Sequence, residues 1–129
     1  FVSISPDGVS GWSDPLTDDD LLEPVCMASL LRLADGSVVF ANCDVLEHEF
    51  TSPDRVMHDR KNLTVKRSTD DCATWTASRA IQSGPSSYSD MAQNRNGLVC
   101  CIYENQKIDG QYDTKYVSVS RFDVGWIEY

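Results

Sequence analysis

Two octets of this chain repeat each other. Ser5-Pro6-Asp7-Gly8-Val9-Ser10-Gly11-Trp12 and Ser68-Thr69-Asp70-Asp71-Cys72-Ala73-Thr74-Trp75 carry Ser, Asp and Trp at matching offsets, each after a short β-like run. A self-similar unit of this kind constrains the fold more than any other feature. It implies supersecondary units set side by side, as in the blades of a propeller or another β array. The physical logic is local: Asp caps a tight turn by accepting backbone N–H groups, and Trp packs back against the sheet. The octets are a folding device and carry no catalytic chemistry.

The rest of the chain agrees with an all-β reading. Short alternating or apolar runs are separated by turn residues, and no stretch has a helical period. Strands are expected at Phe1 to Ser5, Met27 to Leu33, Val38 to Ala41, Leu63 to Ser68, Tyr88 to Gln93, Leu98 to Glu104 and Val117 to Phe122. Asp35-Gly36 and Asn96-Gly97 are hairpin turn pairs. Two polar stretches without an apolar period, Cys43 to Lys61 and Asn105 to Lys115, are expected as surface loops, where binding groups concentrate.

Composition narrows the function. With 20 acidic against 11 basic residues the formal charge is −9, which repels a phosphate backbone and gives no footprint for nucleic acid or anionic lipid, so no nucleic-acid partner is expected. No apolar run approaches a membrane span. Phe1 is not Met, and no signal-peptide pattern opens the chain, so further sequence is expected upstream. Cys26, Cys43, Cys72, Cys100 and Cys101 form no C-x-x-C pair, and His48 and His58 stand alone as histidines, so no metal site is expected. An odd cysteine count permits at most two internal disulfides. Cys100 and Cys101 fall on opposite faces of a strand, and one of them is expected as a packed core thiol. Asn62-Leu63-Thr64 fits a glycosylation acceptor, but its place beside a candidate site residue argues against a bulky glycan.

The two octets resemble the Asp box, Ser-x-Asp-x-Gly-x-Thr-Trp, of sialidases. Both depart from it: Val9 and Cys72 stand at the glycine position, and Gly11 replaces Thr in the first. Further segments follow in the family's order. Glu23-Pro24-Val25-Cys26-Met27-Ala28-Ser29 is similar to a Glu-Pro-x-Cys-x-x-Ser strand start, and Arg60-Lys61-Asn62-Leu63 to an Arg-x-Asn-Leu strand. Gly84-Pro85-Ser86-Ser87-Tyr88-Ser89-Asp90 is similar to a Tyr-Ser-Asp segment, and Cys101-Ile102-Tyr103-Glu104 to a Tyr-Glu strand. The resemblance implies an all-β chain forming part of a six-bladed β-propeller, about two blades of antiparallel sheet. Residues 1–129 would be the C-terminal portion of the catalytic domain.

The same resemblance implies roles. Arg60 would bind the substrate carboxylate as the third arginine of the family's triad, because a planar guanidinium meets a carboxylate with two parallel hydrogen bonds. Tyr88 would be the nucleophile. A carboxylate nucleophile would be repelled by the carboxylate on the anomeric carbon of sialic acid, whereas a neutral phenol brings less charge to the encounter. Glu104 would be a supporting residue that orients the triad's first arginine, and Asp90 would hold the Tyr88 segment structurally. Asp18, Asp19, Asp20, Glu47 and Glu49 match no family motif and are expected as solvated loop charges.

The family's acid/base aspartate, its first two triad arginines and the glutamate that activates the tyrosine precede the matched segments, so this chain by itself is expected to be inactive. The reading is an exo-α-sialidase with no metal or other cofactor. It acts on sialylated glycoconjugates, and the protein is expected to be secreted or extracellular, with lysosomal and periplasmic settings as alternatives. Its partners include the remaining propeller blades. The alternative function is a non-catalytic Asp-box propeller or lectin-like module that binds glycans without cleaving them. A freestanding β domain, which would leave no sheet edge unpaired, is a third reading.

Overall fold

The computed structural model describes all residues except 47, 53–54, 59 and 108–113; for 48–52, 55–58 and 107 it describes the backbone alone. Among the described residues, eight strands run in chain order: β1 Ser29–Arg32, β2 Val38–Cys43, β3 His48–Ser52, β4 Arg55–His58, β5 Lys61–Ser68, β6 Ala77–Gln93, β7 Val99–Lys107 and β8 Thr114–Phe122. A short 3-10 helix, Val124–Glu128, follows, its first turn capped by the Asp123 carboxylate on the Trp126 N–H. The strands β1-β2-β5-β6-β7-β8 pair in that order, all antiparallel, and β3 pairs with β4 in a separate two-stranded sheet.

One strand belongs to two sheets. The first half of β6 pairs with β5 from Arg67↔Ala77 to Lys61↔Pro85, and its second half pairs with β7 from Ser86↔Asn105 to Gln93↔Val99. The changeover falls at Gly84-Pro85. The result is a four-stranded sheet, β1-β2-β5-β6, handed directly to a second one, β6-β7-β8, as between adjacent propeller blades. The expected all-β architecture of about two blades is what the chain forms.

Inward positions pack into one core. Val39, Leu63, Val65, Val99 and Cys101 are fully buried, with Met91, Tyr103, Phe122 and Ile127 closing around them. Strand β5 is covered on both faces, so Thr64 and Lys66 are buried along with Leu63 and Val65. Cys101 is the core thiol and Cys100 is half-buried, in keeping with their opposite faces; all five thiols are free. Burial pushes the Cys101 thiol up to about 12.

The Asp boxes are built as their chemistry requires. In the second, the Asp70 carboxylate accepts from the Thr74 N–H (2.9 Å) and hydroxyl (2.6 Å) and from Ser68 Oγ (2.8 Å). These bonds hold Asp70 down at about 2. Cys72 takes φ +67° there, in the conformation that the motif's glycine would adopt freely. Trp75 packs on Phe40, centroids 5.7 Å apart, and its Nε1 donates to Asp18. In the first box the turn closed by the aspartate is one residue tighter: Asp7 accepts from the N–H and hydroxyl of Ser10, three positions on, and Gly8 takes the left-handed conformation. Its Trp12 is exposed.

Several expectations need correction. Phe1 to Ser5 is not a strand; it makes a single bridge, Val2↔Leu16, because no neighbouring strand extends the ladder. The stretch from Cys43 to Lys61 is not wholly loop. It contains the β3–β4 hairpin, whose pairing rests on backbone bonds and needs no apolar face. The Asn105 to Lys115 stretch is shortened by the extension of β7 and β8. Asp18 is not merely solvated, since it anchors Trp75, and the Asp20 carbonyl accepts from Lys66 Nζ. Glu47 lies outside the described residues, as does Asp59 beside Arg60, and the side chain of Glu49 is likewise not described. Both hairpin turns form as expected: the Leu33 N–H donates to Ser37 and Gly36 to Leu33, while Asn94 donates to Leu98 and Gly97 to Asn94.

Candidate active-site face

The sheet changeover in β6 brings the candidate residues together. Arg60 precedes β5, and its carbonyl accepts the Ser86 N–H (3.0 Å), so the start of β5 is fastened to the point where β6 leaves it. Just beyond, the β6–β7 register slips between Ser86↔Asn105 and Ser89↔Tyr103. Two residues, Ser87 and Tyr88, therefore stand against Glu104 alone. A bulge of this kind re-aims a side chain, and here it presents the Tyr88 ring, 45% exposed, on the open face.

Arg60 is held from two sides. Its Nη2 donates to the Val25 carbonyl (2.6 Å) and its Nη1 lies 3.4 Å from Ser87 Oγ. Its guanidinium carbon sits 5.5 Å from the centroid of the Tyr88 ring. Cation and phenol thus share one face, and the attraction between a guanidinium and an aromatic ring favours that arrangement. Among the described residues, these two contacts take only some of the guanidinium's donors.

Val25 supplies its carbonyl from a left-handed backbone, φ +59°, a conformation that a β-branched residue adopts only under strain. The Glu23 carboxylate accepts the Cys26 N–H and closes this turn. The Glu-Pro-x-Cys segment is therefore a support for Arg60 as well as the approach to β1.

Glu104, half-buried on β7, accepts a long bond (3.4 Å) from the Tyr88 backbone N–H. Its described contact is thus to the main chain of Tyr88. Asp90 accepts from Ser29 Oγ (3.2 Å), and Ser29 Oγ in turn accepts the Met91 N–H (3.0 Å), which ties the Tyr88 segment to β1. Tyr88, Asp90, Glu104, Met27, Ile102 and Val117 line an open cleft of about 230 Å³. That is below the usual size of a complete small-molecule pocket, roughly 300–1,000 Å³. Larger hollows at Phe122 and Trp126 and at Thr17 to Leu22 contain none of the candidate residues.

All three candidates from the sequence, Arg60, Tyr88 and Glu104, fall on this face. Sequence reasoning missed Val25 and Ser87 as supports of Arg60, although both lie inside the recognised segments. The signal was their adjacency to Cys26 and Tyr88, but a backbone carbonyl and a serine hydroxyl announce no role by residue type. Asn62, the glycosylation match, has φ +57° and spends its side-chain amide on the Asp44 carbonyl (3.1 Å), leaving a poor acceptor for a glycan. Among the described residues no cluster of three His, Cys, Asp or Glu side chains could hold a metal, and no helix is long and apolar enough to cross a membrane.

No family model matches the chain. A sialidase of Micromonospora viridifaciens is 31% identical over 104 residues, which cover 80% of this chain and 16% of that protein. The fold is shared with the Hadza microbial sialidase Hz136 (TM-score 0.63, 23% identity, 91% of this chain and 21% of that one). It is shared also with the leech intramolecular trans-sialidase solved with 2,7-anhydro-Neu5Ac (TM-score 0.74, 16% identity, 97% of this chain and 20% of that one). A third match is the Ruminococcus gnavus intramolecular trans-sialidase solved with oseltamivir carboxylate (TM-score 0.74, 14% identity, 98% of this chain and 28% of that one). The chain thus spans about a sixth of the curated relative's length and between a fifth and somewhat over a quarter of these solved chains. Its ordered motifs, its two propeller sheets and its identity to the Micromonospora enzyme place it in the sialidase family.

Proposed function

We propose that this chain supplies one face of the active site of an exo-α-sialidase, with Arg60 binding the substrate carboxylate and Tyr88 acting as nucleophile. The observation that carries the reading is the placement of the Arg60 guanidinium 5.5 Å from the ring of Tyr88, which itself lines the open cleft. A carboxylate held by Arg60 brings the anomeric carbon that bears it close to the phenol. Attack by the phenolic oxygen, with its proton passed to a base, forms a tyrosyl–sialyl bond and expels the glycan. Water then attacks the anomeric carbon from the face the glycan left, freeing the tyrosine, and the two inverting displacements give retention.

Glu104 is proposed as a support for an arginine contributed from elsewhere in the protein. The base for Tyr88 and the acid for the leaving group likewise come from outside this chain, which by itself is inactive. Sialylated glycoconjugates as substrates, and a secreted or extracellular setting, belong to the same proposal. So do further propeller blades packed beside this pair.

The test is Tyr88→Phe in the complete protein. Turnover of a sialoside should fall by at least about 10³-fold while its affinity stays within roughly tenfold, because the ring remains and only the nucleophilic oxygen is lost. Unchanged turnover removes Tyr88 from the mechanism. Arg60→Ala should weaken binding by roughly 2–5 kcal/mol if the ion pair is desolvated. Retained sialoside binding with no turnover in the unaltered protein would favour the lectin-like alternative.

A further inference from the structure

Behind Arg60 lie two thiols that the proposed reaction does not use. Cys26, half-buried, ends the Val25 turn, and Cys43, fully buried, ends β2. Both sulfurs converge on the Ser86-Ser87 step of β6. Cys26 Sγ is 3.9 Å from Ser87 Oγ, while Cys43 Sγ is 3.5 Å from the Ser86 carbonyl and hydroxyl oxygens and 3.7 Å from the Ser87 carbonyl. Ser87 thus touches both sulfurs, one through its hydroxyl and the other through its carbonyl. We infer that Cys26 and Cys43 are a redox couple that a small disulfide oxidant such as glutathione disulfide converts to an internal disulfide beneath Arg60.

The environment assigns the two sulfurs different parts. The neighbouring Cys43 thiol brings the Cys26 thiol down to about 7 against the opposing effect of burial, and the charge of Arg60 and a bond to Ser87 lower it further. The anionic partner and burial push Cys43 well above the ordinary thiol range. Cys26 is therefore the attacking thiolate, exposed enough to be reached and with an acidity near neutral pH, where thiol–disulfide exchange is fastest.

In the first step the Cys26 thiolate attacks one sulfur of glutathione disulfide. A mixed disulfide forms, and glutathione leaves as a thiolate that takes up a proton. Capping Cys26 removes the negative charge that had held Cys43 protonated. Cys43 then releases its proton, attacks the Cys26 sulfur and expels the second glutathione. The net change is two protein thiols oxidised to one disulfide and one glutathione disulfide reduced to two glutathione thiols. The product ties the Val25 turn, whose carbonyl holds Arg60, to the end of β2.

The inference does not depend on the sialidase reading, because its readout is mass and needs no turnover. The complete protein, incubated with glutathione disulfide and then denatured and alkylated, should lose two titratable thiols and two hydrogen masses. Peptide mapping should link Cys26 to Cys43. Cys43→Ser should stop at a glutathione adduct on Cys26, and Cys26→Ser should leave Cys43 unmodified. Cys43→Ala serves as a second variant should the serine perturb folding; mapping of the unaltered protein needs neither. A stable glutathione adduct on Cys26 in the unaltered protein, a linkage between other cysteines, or five free thiols after treatment would overturn it.

Discussion

Lys66 shows how far a single residue can depart from what its type suggests. It is 5% exposed in the middle of β5, its ammonium 2.7 Å from the Asp44 carboxylate and donating also to the Asp20 carbonyl. Removing one partner from such a pair strands a buried charge. Asp44→Ala should therefore cost roughly 3–5 kcal/mol, whereas Lys66→Met, which removes the charge and keeps the volume, should be far milder. Urea denaturation of both variants decides this; equal losses would mean that the pair carries no such penalty. Cys72 is a second case, a non-glycine residue at φ +67° in the second Asp box. Cys72→Gly should raise stability by about 1 kcal/mol by relieving the left-handed backbone, read as an increase in the denaturation midpoint. Residues of this kind explain what was legible in the sequence. Arg60, Tyr88 and Glu104 could be singled out as candidates because each sits in a segment that resembles a family motif. Lys66 could not, because alternation along β5 assigns it to a solvated face, and only the second covered face, closed over by the Asp20 and Asp44 segments, reveals otherwise. Val25 was hidden because its contribution is a carbonyl set by backbone geometry.

At the scale of elements, the strands with apolar alternation, β2, β5 and β7, lie close to where the sequence puts them. The first half of β6 was missed because Arg79, on its inward face, interrupts the alternation; that arginine donates to the Trp126 carbonyl and stacks 4.5 Å over the Trp126 ring. Gly84-Pro85 then reads as a break, although it is the seam between two sheets. The Asp boxes carry a prediction about acid. Asp70 is held at about 2 against an ordinary 3.8, and Asp7 lower still, by bonds from neighbouring hydroxyls and N–H groups that favour the charged form. A depressed folded-state value adds stability that is fully present above about pH 4 and is lost as pH falls toward 2. Stability should decline across that window, and Asp70→Asn should flatten the decline because that carboxylate no longer titrates. Denaturant midpoints at a series of pH values check it; an unchanged slope would mean that the box does not couple to folding.

At the scale of the whole molecule, β1 and β8 are the terminal strands of the described sheet order, and β8 exposes Val117 at 67% and Val119 at 66%. Open apolar edges of this kind disfavour the freestanding-domain reading and suit a pair of blades with neighbours. Residues 1–129 produced alone should therefore self-associate, and Val119→Lys should reduce the association; light scattering over a concentration series measures both. A monodisperse monomer in both cases would restore the freestanding reading. The central claim, that Tyr88 and Arg60 work as one reacting face, is tested most directly by trapping the intermediate. The complete protein would be given a sialoside with a good leaving group and a fluorine beside the anomeric carbon to slow breakdown, then digested and mapped by mass spectrometry. The expected result is one fluorosialyl group on Tyr88, absent from Tyr88→Phe. Turnover with no adduct on Tyr88, or an adduct on another residue such as Asp90, would contradict it.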